Sequence, residues 1–255
     1  MWDPDQYERF RSERSRPFFD LLARIPDRSY RAITDLGCGT GDLTAALGEH
    51  WPEARVLGVD HSTEMLTAAA RWRVPDRVEF TPGDISQWRP ASPQDLVVSN
   101  AAFQWIPDAP ALLRHVASTL AARGVLAVQM PDNSASPSQR LLRELEEDPR
   151  WAPKLRGRPR QDAVLPLGRY LELLWAEGFD ADAWESVYFH VLPGDDAVLE
   201  WMKGTTLRPV LRALDGAQRE EFIARYRQSL AEAYPKGPQG TVFPFRRLFF
   251  VGKKR

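Results

Sequence analysis

The sequence predicts an α/β fold in which helices cover both faces of a mostly parallel, doubly wound sheet. Short apolar runs alternate with helical patterns from residue 30 to about residue 131, which is typical of this architecture. A glycine-rich turn at residues 35–41 follows the first run. The first four runs all end in polar residues, at the edge where open α/β sheets bind ligands.

The first predicted strand, residues 30–33, leads into Asp35 and the alternate glycines Gly37, Gly39 and Gly41. Glycines let a ligand lie against bare backbone, although a glycine-rich turn can also be an ordinary loop. The acid at the strand end would repel a pyrophosphate, so a nicotinamide dehydrogenase fits poorly. A ligand with positive groups fits better, and S-adenosylmethionine, which has an ammonium and a sulfonium, is the predicted cofactor.

The later strands, predicted at residues 56–60, 78–85 and 95–101, supply further ligand contacts. Asp60 lies about 20 residues past the glycines, where a second strand presents a carboxylate to ribose hydroxyls, or it could only cap the next helix. Asp84 is expected to accept a hydrogen bond from the adenine amino group. The predicted cofactor-binding residues are those of the glycine turn and the strand ends: Asp35, Gly37, Gly39, Gly41, Asp60, Asp84, Ile85, Asn100 and Gln104.

Helices are expected between these strands, at residues 42–49, 63–72 and 109–121, because each segment begins near an acid, a hydroxyl or a proline. A fifth strand is predicted at residues 125–130 and ends at Pro131.

Beyond Pro131 the alternation loosens. An amphipathic helix is predicted at residues 167–177, and late strands at residues 184–192 and 247–251. Helical patterning over residues 196–233 separates these strands and indicates a lid. The chain is therefore read as a single domain with four parts: an N-terminal helical cover (1–29), a cofactor-binding core (30–133), an insert (134–166) and a helical substrate lid (195–240).

Composition narrows the function classes. A chain of 255 residues with 43% hydrophobic content can bury one sizeable core. A single cysteine excludes an internal disulfide, and no paired Cys or His spacing suggests a metal. No signal sequence or membrane span is apparent, so a cytoplasmic setting is expected. A net charge of −1 argues against a nucleic-acid partner. The chain is expected to be a monomer.

The first four strands resemble the class I S-adenosylmethionine-dependent methyltransferases, and nearly the whole chain resembles the trans-aconitate 2-methyltransferase family. The resemblance rests on residues 2–4 with Tyr7, and on residues 13–17, 35–39, 104–105, 124–133, 207–209 and 247–249. It implies a Rossmann-like sheet of seven strands with the last antiparallel. It also implies methyl transfer to a carboxylate of trans-aconitate, giving a monomethyl ester and S-adenosylhomocysteine. The chain departs modestly from the family pattern at residues 40–42 and at His61.

Such chemistry requires no general base, because a carboxylate with a pKa near 4 is already ionised at neutral pH. No catalytic residue is therefore predicted, and the protein is expected only to position the reactants. Arginines suit a polycarboxylate, because a guanidinium grips a carboxylate at two points. The predicted substrate-binding residues lie outside the cofactor-binding core: Arg14, Arg208, Arg247, Tyr7, Tyr188 and His190.

Two alternatives remain open from the sequence. A methyltransferase for a phenol or carbon acceptor would need a base and a neutral pocket without arginines. A regulatory module that binds S-adenosylmethionine without catalysis would show no turnover with any acid.

Overall fold

The computed structural model describes residues 11–157, 164–204 and 206–255, with side chains from Ser15 onward. Two compact units can be distinguished. The sheet unit comprises the described residues within Ser15–Pro131, Ala163–Glu185 and Arg247–Arg255. The helical unit comprises those within Met1–Arg14, Asp132–Asp162 and Ser186–Arg246.

The strands form one eight-stranded sheet. They are β1 (Ala32–Leu36), β2 (Arg55–Asp60), β3 (Val78–Pro82), β4 (Gln94–Asn100), β5 (Leu120–Pro131), β6 (Phe179–Leu192), β7 (Lys236–Gly237) and β8 (Gly240–Lys254). Their order is β3-β2-β1-β4-β5-β8-β6, and β7 pairs with β8. The first five strands pair in parallel, whereas β8 is antiparallel to β5. The predicted fold class is confirmed, and the two-residue β7 is the strand that the sequence did not indicate.

The α-helices of the described residues are α1 (Arg11–Leu22), α2 (Asp42–His50), α3 (Thr63–Ala69), α4 (Ala109–Thr119), α5 (Pro137–Glu147), α6 (Ala152–Leu155), α7 (Leu167–Ala176), α8 (Ala197–Lys203), α9 (Leu207–Ala213) and α10 (Gly216–Ala233). Helix α2, helix α7 and the helical character of residues 196–233 match the predictions. None of the described helices has the length and apolar character needed to cross a membrane.

Three predicted strands begin earlier than expected: β5, β6 and β8 start at Leu120, Phe179 and Gly240 instead of residues 125, 184 and 247.

Three further element ends also differ from the predictions. Helix α4 ends at Thr119 rather than residue 121, because the chain becomes extended at Leu120, where β5 begins. Helix α3 ends at Ala69, and a 3-10 turn completes the segment predicted to be helical up to residue 72. Strand β3 ends at Pro82, so Asp84 and Ile85 lie in the turn that follows it.

The core of the sheet unit lies around the central strands. Strand β5 is buried continuously from Gly124 to Met130, as expected of a strand covered on both faces. Apolar side chains of β1, β2 and β4, including Leu36, Val59 and Val97, belong to the same hydrophobic cluster. This rigid layer fixes the carboxyl ends of the parallel strands, where the candidate site residues lie.

The helical unit has a core of its own, which is rich in aromatic side chains. The rings of Trp151 and Phe222 meet edge to face with 5.0 Å between their centroids. The Tyr226 hydroxyl donates to the Ser138 carbonyl at 3.0 Å. Because aromatic rings bury large areas, these contacts help to hold the helices of this unit together.

Candidate active site

The glycine turn connects β1 to α2. Glycine is required at Gly37 and at Gly39 for different structural reasons. Gly37 adopts φ +82°, and a Cβ there would lie 2.2 Å from the Cβ of Ala102, so close packing excludes any side chain. Gly39 adopts φ +52°, but a Cβ there would meet no atom within 4 Å. Gly39 therefore leaves backbone facing open space, which is what a ligand that lies along the turn requires.

Asp35, at the end of β1, is almost fully buried, with 2% of its surface exposed. The Thr44 hydroxyl of α2 donates to Asp35 Oδ2 at 2.6 Å. Burial raises the pKa of Asp35 to about 7, against the lowering effect of the Thr44 hydrogen bond and with a further increase from Asp60 and Asp42. A cationic ligand nearby would favour the ionised form of this carboxyl.

Asp60, at the end of β2, accepts two backbone hydrogen bonds. The Gly39 N–H donates to Oδ2 and the Ser62 N–H to Oδ1, both at 2.9 Å. A carboxylate has about four acceptor positions, so capacity remains for ribose hydroxyls. The N-cap of α3 is Ser62, whose hydroxyl accepts from the Met65 N–H, so Asp60 is not the cap residue itself.

Asp84 and Ile85 follow β3. Asp84 is exposed, and its Oδ1 accepts from the N–H and hydroxyl of Ser86 at 2.8 and 2.7 Å. These hydrogen bonds lower the pKa of Asp84, which keeps it ionised at neutral pH. Ile85 is buried in the hydrophobic cluster of the sheet unit, so one face of the turn is anchored while the carboxylate faces solvent.

Asn100 ends β4 and Gln104 lies in the 3-10 turn that follows it; their side-chain oxygens, Asn100 Oδ1 and Gln104 Oε1, are buried and accept no hydrogen bond from the described residues. Gln104 Nε2 donates to the Ala101 carbonyl at 2.7 Å, which directs the amide oxygen away from that carbonyl. Between them, Ala101 adopts φ +55°, a left-handed conformation that is unfavourable for alanine. The Ala101 N–H donates to the Gln129 carbonyl at 2.9 Å, and this bond holds the turn.

Sequence reasoning missed Ala101 and Gln129. No sequence signal marks a left-handed alanine, because the conformation is imposed by the surrounding hydrogen bonds. Gln129 did carry a signal, since it is the polar residue in the apolar run Val125–Met130. A glutamine within a central, fully covered strand indicates a specific partner.

The acceptors at this edge fit S-adenosylmethionine. Buried amide oxygens and the carboxylates of Asp35 and Asp60 can receive an ammonium and hydroxyl groups. The open space at Gly39 admits the ligand to the backbone. The observed donor and acceptor set therefore suits a cationic nucleoside rather than a pyrophosphate.

Arg247 is the substrate-binding candidate that lies in the sheet unit. It lies on β8 opposite Pro131 of β5, and only 4% of its surface is exposed. Its Nη1 donates to Gln129 Oε1 at 3.4 Å. A buried guanidinium is a suitable carboxylate receptor, because its planar group can donate to both carboxylate oxygens.

The other described candidates lie in the helical unit. Arg208 is the second residue of α9 and is half-buried. Tyr188 and His190 are buried on β6, where the His190 ring stacks on Trp201 with 5.0 Å between centroids. Helix α1 includes the backbone of Arg14, whose side chain lies outside the description, and Tyr7 lies outside the described residues.

Cys38 lies within the glycine turn as a buried free thiol. Burial and the nearby carboxylates of Asp35 and Asp60 raise its pKa far above the ordinary value, so it is not a nucleophile at neutral pH. Across the described ranges, no group of three His, Cys, Asp or Glu residues could hold a metal ion.

Comparisons with known proteins agree with this geometry. Residues 33–124 match the family model described as a methyltransferase domain. The trans-aconitate 2-methyltransferase of Streptomyces avermitilis is 49% identical over 260 residues, covering 99% of this chain and 97% of the relative. That of Mycolicibacterium gilvum is 44% identical and covers 99% of both chains.

A solved S-adenosylmethionine-dependent methyltransferase from Mesorhizobium loti has the same fold, with a TM-score of 0.52 and 20% identity. The alignment covers 93% of this chain and 97% of that one.

Proposed function

Because this chain belongs to the trans-aconitate 2-methyltransferase family of S-adenosylmethionine-dependent enzymes, we propose that it methylates a carboxylate oxygen of trans-aconitate and forms a monomethyl ester. The observation that carries the proposal is the 49% identity to a family member over 99% of the chain. The cofactor features of the sheet unit support it. S-Adenosylhomocysteine is the expected second product.

S-Adenosylmethionine, when bound, supplies an electrophilic methyl group on a sulfonium. In the proposal, Asp35 and the amide oxygens of Asn100 and Gln104 accept from its ammonium group. Asp60 accepts from the ribose hydroxyls, and Asp84 and Ile85 contact the adenine. Gly37, Gly39 and Gly41 provide a turn without side chains along which the ligand lies.

The acceptor needs binding and alignment rather than activation. Its carboxylates are ionised at neutral pH, so no residue has to remove a proton. Arg14, Arg208 and Arg247 are proposed to bind these carboxylates, with hydrogen bonds from Tyr7, Tyr188 and His190. Fixing the attacking oxygen and excluding water are the protein's main contributions to the rate.

Further parts of the proposal concern the setting of the reaction. Residues 195–240 are proposed to act as a lid over the acceptor, and the described helices in this range are α8, α9 and α10. We propose a monomeric cytoplasmic enzyme that acts on a small molecule and has no nucleic-acid partner.

A methyl-transfer assay tests the reaction. The protein is incubated with labelled S-adenosylmethionine and, separately, with trans-aconitate, cis-aconitate, citrate or isopropylmalate. We expect a labelled monomethyl ester with the highest kcat/KM for trans-aconitate. Absence of turnover with every acid would contradict the proposal and favour a non-catalytic binding module.

Arg208→Ala tests the acceptor site. Loss of a charge-assisted hydrogen bond is expected to raise the KM for trans-aconitate about 10- to 100-fold. The control is Arg212→Ala, because Arg212 is an exposed arginine one turn further along α9. Equal KM values for the two variants would remove Arg208 from the site.

A further inference from the structure

Gln129 is a buried amide in the middle of the sheet unit. It lies on β5, where it pairs in register with Asn100 of β4 on one side and with Phe249 of β8 on the other. None of its surface is exposed, and its chain neighbours Val128 and Met130 are equally buried. A polar side chain in such surroundings destabilises the fold unless hydrogen bonds compensate for its lost hydration.

Only one end of this amide has a described partner. Gln129 Oε1 accepts from Arg247 Nη1 at 3.4 Å. Because a guanidinium can only donate, this contact orients the Gln129 oxygen toward Arg247 and the amide nitrogen elsewhere. Gln129 Nε2 is buried and makes no hydrogen bond with any group in the described part of the chain.

Three buried side-chain groups of this sheet edge have no hydrogen-bond partner within the described residues, and they differ in chemistry. Asn100 Oδ1 and Gln104 Oε1 are acceptors, which suit a cationic ligand. Gln129 Nε2 is a donor beside a guanidinium, and this combination suits an anion. S-Adenosylmethionine also bears one carboxylate, but the proposed function places Arg247 at the carboxylates of the acceptor, so the donor pair that includes Arg247 matches the acceptor.

We propose that Gln129 is a substrate-binding residue that recognises a carboxylate of the acceptor. Its Oε1 orients the Arg247 guanidinium, and its Nε2 donates a hydrogen bond to the carboxylate that Arg247 binds. The inference rests on the proposed function, in which Arg247 binds that group. Together the two side chains present donors from two directions, which restricts the carboxylate to one orientation. Gln129 thus contributes to the choice of acceptor and not to cofactor binding.

The test uses Gln129→Leu in the full-length protein, with steady-state kinetics and calorimetry. We expect the KM for trans-aconitate to rise about 10- to 100-fold, while the Kd for S-adenosylhomocysteine changes less than twofold. The melting temperature is expected to fall, because the variant also removes the acceptor of the buried Arg247 guanidinium, and the unchanged Kd for S-adenosylhomocysteine shows that the variant is folded. Should Gln129→Leu fold poorly, Gln129→Glu carries the test, since it keeps an acceptor for Arg247 but has no N–H donor.

Gln94→Leu is the matched control. Gln94 is also a buried glutamine of the sheet unit, but its Oε1 accepts from the Thr34 hydroxyl and its Nε2 donates to the Ser92 carbonyl. Because Gln94 begins β4, it lies at the opposite end of the strands from the candidate site. This variant should lower the melting temperature and leave the KM unchanged.

Each outcome has a distinct reading. An unchanged KM in both Gln129 variants, with an active wild type, would overturn the role of Gln129 and leave the proposed function intact. An equal rise in cofactor Kd would also overturn it, because Gln129 would then serve the cofactor. A wild type that methylates no polycarboxylate would refute the proposed function itself, and the inference with it.

Discussion

The protonation of Asp35 leads to the sharpest prediction. Asp35→Asn keeps the size of the side chain and an oxygen that can accept from Thr44, but it removes the buried charge. In the wild type, burial raises the pKa of Asp35 from 3.8 to about 7. The unfolded chain therefore releases this proton at much lower pH than the native protein does.

The sign of the effect on stability follows from proton binding. Between pH 3.8 and about pH 7, the native state holds a proton that the unfolded state has lost. The free energy of unfolding therefore falls as the pH rises through this interval and levels off above it. The interval of about three pKa units corresponds to about 4 kcal/mol, of which about 3 kcal/mol falls between pH 5 and pH 8.

The assay is urea unfolding without cofactor at pH 5, 6, 7 and 8. From pH 5 to pH 8, we expect the difference in the free energy of unfolding between Asp35→Asn and the wild type to grow by about 3 kcal/mol in favour of the variant. Glu53→Gln is the control, because Glu53 is an exposed acid of the same unit, and its profile should run parallel to the wild type. Parallel profiles for Asp35→Asn and the wild type would refute the assignment of a buried, neutral carboxyl.

Cofactor affinity should move in the opposite direction. A cationic ligand favours the ionised carboxyl, so wild-type affinity for S-adenosylmethionine should rise about tenfold from pH 6 to pH 8. Asp35→Asn should bind weakly at every pH. A stabilising substitution that removes binding would show that the cost of burying Asp35 serves the ligand.

The remaining predictions concern the backbone of the site. Gly37→Ala should lower the free energy of unfolding by about 3 kcal/mol or more, because its Cβ would lie 2.2 Å from that of Ala102. Gly39→Ala should lower the free energy of unfolding by only about 1–2 kcal/mol, because its φ of +52° is unfavourable for alanine. It should nevertheless weaken cofactor binding measured by calorimetry, and wild-type affinity would show that no ligand lies there. Ala101→Gly should raise the free energy of unfolding by up to about 1 kcal/mol in urea, because it relieves a left-handed alanine; a loss would contradict the strain.

The fold and the cofactor were predictable because their signals are local. The glycine turn and the apolar runs around it predicted the strands and the end of the strands at which we propose that the ligand binds. Family membership confirms the predicted methyltransferase class and S-adenosylmethionine as its cofactor. The short strand β7 escaped prediction, because two residues carry no periodicity and their pairing depends on the turn before Gly240.

Side-chain geometry was less accessible from the sequence. The double role of Asp60, which accepts from Gly39 and Ser62, depends on how the turn after β1 meets the end of β2. The contact between Gln129 and Arg247 joins residues that are 118 positions apart, and only the antiparallel register of β5 and β8 brings them together. The individual site residues stay predictions for the binding experiments.

The two ends of β4 show why this edge of the sheet unit is the place to look for binding energy. At the amino end, Gln94 is buried, and both polar atoms of its side-chain amide have a partner: Oε1 accepts from Thr34 and Nε2 donates to Ser92. At the carboxyl end, the oxygens of Asn100 and Gln104 are equally buried but have no partner within the described ranges. Because an unsatisfied buried acceptor destabilises the protein by about 1–3 kcal/mol, a ligand that donates to these oxygens recovers that free energy on binding. Saturating cofactor should therefore raise the melting temperature through the carboxyl end, and truncating Asn100 should diminish the increase where truncating Gln94 does not.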